Sequence, residues 1–228
     1  MDWFEPVRAY CERSGPGFWD EPANAVTNGA FLLAAAAASY RARAAEPPDR
    51  AGLGLAGLIA VVGIGSFLFH TLAVYWAMLA DVIPIALFIY AYLALALHRY
   101  LRLAPTRVAA ATAGFALLGF ALTPMLDGLT GARVSNLTNG SIDYLPALLA
   151  LFGVAWATKG SAEERFLGTG RRLAGIGALF LISLAARTAD PVACPVLPFG
   201  THPLWHVLNA VVLYALVATA VRHREATG

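Results

Sequence analysis

The sequence predicts an all-α membrane protein of seven transmembrane helices. Three observations lead there. The 228 residues are 59% apolar and only 13% charged, against about 25% charged in a soluble domain. Apolar runs recur along the chain, near the ~20 residues a helix needs to cross a bilayer. Basic residues gather in every second loop between those runs.

Residues 1–23 hold Trp3, Phe4, Phe18 and Trp19 among charged side chains. That mixture suits a segment lying at the membrane interface. It has no basic stretch before an apolar core, so no signal peptide is expected. The spans follow at roughly 25–40, 52–70, 74–97, 108–125, 144–158, 173–187 and 203–221. The fifth and sixth are short and extend into their polar flanks. Pro84 and Pro146 are expected to bend the third and fifth. The seven-helix domain thus occupies 24–222, and residues 223–228 form a short tail.

One set of loops carries Arg41, Arg43 and Arg50, then Arg99, Arg102 and Arg107, then Lys159, Arg165, Arg171 and Arg172, then Arg222 and Arg224. The other set has only Arg8, Arg13, Arg133 and Arg187. The positive-inside rule puts the first set in the cytoplasm, hence the N-terminus outside and the C-terminus inside. An odd span count demands the same. The net charge of +2 gives no sign of a nucleic-acid partner, and no protein partner is predicted. The implied surroundings are a lipid bilayer.

Polar residues inside such spans are costly and mark function. Gly63-Ile-Gly-Ser66-Phe-Leu-Phe-His70 places a hydroxyl and an imidazole four apart, on one helix face. Asp81 follows eleven residues later, and His202-Pro-Leu-Trp-His206 repeats the four-residue spacing with two imidazoles. On the predicted topology all five fall in the outer half of the membrane. Three histidines with an open fourth position make the pattern of a catalytic zinc site. Such a cation activates water and polarises a carbonyl. Asp81 is then the proton carrier and Ser66 the hydroxyl facing the developing oxyanion. The implied reaction is hydrolysis of an amide or ester of an apolar substrate.

Plainer readings exist for each residue alone. A single intramembrane His or Asp commonly makes an interhelical hydrogen bond, and Gly63-Ile-Gly-Ser is commonly a close-packing motif. Trp205 reads as packing or an interfacial anchor. Asp127, Asp143 and Asp190 read as solvated helix-end residues. His98 and His223 lie at the cytoplasmic side, out of reach. Cys11 and Cys194 both fall outside, where disulfides persist. A bridge between them would clamp the N-terminal segment over the histidine pair; the alternative is two free thiols.

Ser66-x-x-x-His70, Asp81 and His202-x-x-x-His206 resemble the signature of the alkaline ceramidase family. It belongs to a superfamily of seven-span membrane hydrolases that includes the adiponectin-receptor-like proteins. Tyr10-Cys-Glu-Arg and Phe18-Trp-Asp-Glu-Pro-Ala-Asn24-Ala-Val-Thr-Asn28 resemble its bacterial members. The likeness runs through the first three spans and the last. It implies zinc on His70, His202 and His206, catalytic roles for Ser66 and Asp81, and a Cys11–Cys194 disulfide. It also implies cleavage of ceramide to a fatty acid and a sphingoid base. For a bacterial member the site lies near the periplasmic face of the inner membrane. The resemblance further implies calcium in the N-terminal segment, on Glu12, Glu21 and Asn24. Ala9 and Ser14 depart from that pattern, and the loop between the ligands is short.

Three other functions compete with a zinc amidohydrolase of ceramide or a related N-acyl lipid. An esterase or phospholipase of the same superfamily would use the same machinery. A receptor with an idle zinc site would favour long signalling tails, which this sequence lacks. A haem protein is excluded by geometry, because two histidines on one helix face cannot take opposite axial positions.

Overall fold

The computed structural model describes residues 2–159 and 168–227. Arg165 of the third basic loop, Met1 and Gly228 lie outside them. The fold is all-α, and no strand occurs among the described residues. Among the described residues, two short helices and seven longer ones follow in order: α1 (Pro22–Thr27), α2 (Gly29–Ala44), α3 (Arg50–Leu72), α4 (Tyr75–Arg99), α5 (Pro105–Thr130), α6 (Val134–Leu137), α7 (Leu145–Ala157), α8 (Thr169–Ala193) and α9 (His202–Thr227). A 3-10 turn, Ser141–Tyr144, leads into α7.

Five of these, α3, α4, α5, α8 and α9, are long and apolar enough to cross a membrane. The 16-residue α2 and the Ser141–Ala157 stretch are shorter. The expected first span is divided at Asn28, between α1 and α2. The sixth does extend into its flanks, as α8. Pro146 does not bend a helix. It occupies the first turn of α7, where its missing N–H has no helical partner to lose. Pro84 does lie inside α4.

Helix α9 is the hub, packing on α8, α2, α3 and α1. Phe31, Ile59, Val62, Phe88, Leu213 and Val217 are among the buried side chains of the core. The α3–α4 pair is the most extensive contact, and Gly65 explains how close it is. A Cβ there would collide with the Ala80 carbonyl oxygen. The glycine lets the two backbones approach, as small residues do in membrane bundles. That approach brings Ser66 and His70 alongside Asp81. The reading of Gly63-Ile-Gly-Ser as a packing motif therefore holds.

The N-terminal segment is strapped across one end of the bundle. The Val7 amide donates to the Ala73 carbonyl at 2.8 Å, and the Tyr75 and Trp76 amides donate to Glu5 and Trp3. The Cys11–Cys194 disulfide is formed, with Cα atoms 5.5 Å apart. Trp3, Phe4, Phe18 and Trp19 stay exposed, as interfacial anchors would. At the opposite end Asp49 caps α3 through the Gly52 amide at 3.1 Å and pairs with Arg99 at 2.7 Å. Arg41, Arg43, Arg107, Arg171, Arg172, Arg222 and Arg224 stand at that same end.

Candidate metal and active site

His70 comes from the last turn of α3, and His202 and His206 from the first turns of α9. The chain ends of these helices meet beneath the N-terminal strap. All three rings are buried, and one ligand atom from each lies within 4.8 Å of the others. Among the described residues, no other group of three His, Cys, Asp or Glu is so arranged.

Five buried polar atoms at this point have no hydrogen-bond partner: His70 Nε2, His202 Nδ1, His206 Nε2, Ser66 Oγ and Asp81 Oδ1. Each such orphan costs about 1–3 kcal/mol. Five in one place mark a site built for a ligand. Three neutral imidazoles form a donor set that zinc accepts, so these residues fit the metal the sequence led us to expect.

The outer nitrogens of two rings are held. His70 Nδ1 meets Glu21 Oε2 at 2.5 Å. An ionised carboxylate only accepts, so Nδ1 carries the proton and Nε2 faces the centre with its lone pair. Burial opposes ionisation of Glu21, yet the hydrogen bonds from His70 and Arg13, with the Arg13 charge, outweigh it and hold its carboxyl below the usual range. His206 Nδ1 lies 2.9 Å from Thr27 Oγ1. That hydroxyl spends its single proton on the Ala23 carbonyl at 2.7 Å. It therefore accepts from His206, which again leaves Nε2 bare. Such outer partners fix ring orientation and raise ligand basicity. His202 is held by stacking instead. Its ring lies between Tyr10, at 3.6 Å between centroids, and Trp205, at 5.1 Å.

Asp81, in the second turn of α4, is buried and within electrostatic range of His70 and Arg187. Asp190 is not solvated as expected; it is fully buried. Its Oδ1 accepts from the Thr201 and His202 amides, and its Oδ2 from the Cys11 amide at 3.1 Å. It caps α9 and ties that helix to the strap. Asp127 and Asp143 cap and brace the loop after α5. Trp205 is buried packing. His98 and His223 lie at the far end, as expected, where His223 Nδ1 meets Thr169.

Sequence reasoning missed Tyr10, Arg13, Thr27, Arg187 and Asp190. Arg187 had been counted with the sparse loop charges of the strap end. Its guanidinium instead sits over the rings of Tyr10, Tyr144 and Trp205 at 5.1–5.7 Å, a cation–π arrangement. The available signal was local: Tyr10 adjoins Cys11, and Thr27 follows Asn24 by one helical turn.

The carboxylate oxygens assigned to calcium are already engaged, and of the set only Asn24 Oδ1 is without a partner. Both Glu12 oxygens accept from backbone amides at the start of α1, from Ala23 at 2.7 Å and Asn24 at 2.9 Å. Glu21 Oε1 accepts from Arg13 Nε at 2.5 Å, and Oε2 from His70 and from Asn24 Nδ2 at 3.0 Å. As they stand, these residues do not fit a calcium ion.

An apolar pocket lies between α4, α7, α8 and α9. Phe88, Tyr92, Leu151, Phe180, Leu213 and Leu216 are among its walls, and Asn209 and Tyr144 also line it. On α4 it spans Ile85 to Ala96, about 16 Å of helix axis.

The Ceramidase family profile matches residues 17–226. The chain belongs to the Ceramidase family. No curated protein matches the sequence. Membership makes this a membrane hydrolase of the ceramide-cleaving class, and the histidine group a place where such an enzyme could hold its metal.

Proposed function

We propose that this Ceramidase-family chain is a zinc-dependent amidohydrolase of ceramide or a closely related N-acyl lipid. The observation that carries the proposal is the meeting of His70, His202, His206, Ser66 and Asp81 with five unpartnered buried atoms. Bound to the three histidines, zinc would supply Lewis acidity, polarising the substrate carbonyl and acidifying water near neutral pH.

The remaining work falls to this chain's side chains. Glu21 and Thr27 orient two of the imidazoles. Asp81 takes the proton released as water attacks the amide carbon, then delivers it to the nitrogen as the C–N bond breaks. Free amine and fatty acid leave. Ser66 Oγ–H donates to the carbonyl oxygen as charge builds there. The apolar pocket receives the acyl chain, and the strap covers the site from water. The arginines at the opposite end support an orientation with the site toward the external face, periplasmic in a bacterium. The same orientation makes all seven helices spans, α2 and α7 included.

The test is turnover of an N-acyl sphingoid lipid by purified protein, with bound metal measured in parallel. Wild type should hold about one zinc per chain. Asp81→Asn should retain the metal and lose roughly 10²–10⁴-fold in kcat. An Asp81→Asn enzyme as fast as wild type would remove the proton carrier. Equal loss on the matching ester and amide is expected; activity on the ester alone would move the assignment to an esterase.

A further inference from the structure

Arg13 is a buried guanidinium that the hydrolytic reading does not use. It is 7% exposed. Its Nε donates to Glu21 Oε1, its Nη1 to the carbonyls of Gly15 and Gly17 at 3.2 Å each, and its Nη2 to the His70 carbonyl at 2.8 Å. One carboxylate and three carbonyl oxygens therefore converge on a single positive group. Beside them Asn24 Oδ1 is buried without a partner. Hard oxygens of this kind, in this number, are the ligands of a calcium ion.

We propose that Arg13 is a built-in cation that occupies this oxygen cradle in place of calcium, making the fold of the strap independent of the ion. The guanidinium neutralises Glu21 and pins the 13–21 loop to the end of α3. A divalent cation entering the same cradle meets a fixed positive charge at close range, which repels it in a buried setting. Arg13 is also a positioning residue. It holds one Glu21 oxygen while the other orients His70, so its removal should loosen the metal centre without touching substrate.

The experiment uses the full-length, zinc-loaded protein in calcium-free buffer, titrated with CaCl2 and read by thermal unfolding, zinc retention and turnover. Wild type should move by less than about 1 °C and keep its turnover unchanged up to millimolar calcium, the range of weak external sites. Arg13→Ala should melt about 10 °C lower, because one partner of a buried pair is lost. It should release zinc to a chelator about 10–100-fold more readily, as outer-partner losses do. Millimolar CaCl2, but not MgCl2, should recover at least half of the melting shift. Arg13→Lys keeps the charge but cannot reach all four oxygens, and should fall between the two. Calcium stabilisation of wild type by several degrees would overturn the proposal. So would an Arg13→Ala protein that melts like wild type, or one that calcium does not rescue. If Arg13→Ala does not fold, the wild-type titration and the lysine variant still decide. Failure here leaves the hydrolase reading intact, since that reading fails only on metal content and turnover at Asp81.

Discussion

Helices α5 and α9 have the same length, 26 residues, and both are apolar enough to cross a membrane. They sit in the molecule very differently. In its most apolar window α9 is 61% buried, while α5 is 6% buried. Leu117, Phe120 and Leu129 of α5 point outward. Buried α9 carries His202, His206, Asn209, Thr219 and His223. In lipid, apolarity does not separate inside from outside, because lipid tails are as apolar as leucine. The polar side chains do, since each needs a partner that only the bundle interior supplies.

The difference can be sharpened by substitution. His206→Ala on α9 should weaken zinc binding by more than about 100-fold, since even outer partners of a metal ligand are worth 10–100-fold. Metal analysis after dialysis reads it directly, and full retention would detach α9 from the centre. Next in size is Gly65→Leu, at the α3–α4 approach. Its side chain meets the Ala80 carbonyl, and a loss of about 3 kcal/mol or more is expected in detergent unfolding. Gly57→Ala on the same helix has open space around its Cβ and serves as the control. The smallest effect should come from α5. Leu117→Ala and Phe120→Ala should each stay within about 0.5 kcal/mol; a larger loss would mean that α5 is packed against a further surface.

The same contrast explains what could be read from the chain alone. The five residues of the candidate site were legible because each interrupts an apolar run, where a polar group needs a reason. Seven helices were legible from hydropathy, except where local chemistry intervened, at the Asn28 break and at Pro146. Arg13, Asp190 and Thr27 were not legible. A charge near a helix end or a hydroxyl attracts no notice, and only the fold shows that Arg13 and Asp190 are buried and that Thr27 meets His206. Glu12 and Glu21 stand out through the family resemblance, yet their partners lie beyond what residue spacing encodes: two backbone amides for Glu12, and a guanidinium, an imidazole and a side-chain amide for Glu21.

The strap has one practical corollary. The matched family region opens at residue 17, downstream of Tyr10, Cys11 and Arg13. A gene fragment trimmed to that boundary would encode every histidine and still lose the ring against His202, the covalent tie to Cys194 and the counter-charge of Glu21. Expression libraries cut at profile edges would therefore score this enzyme as dead for want of sixteen residues that carry none of the histidines.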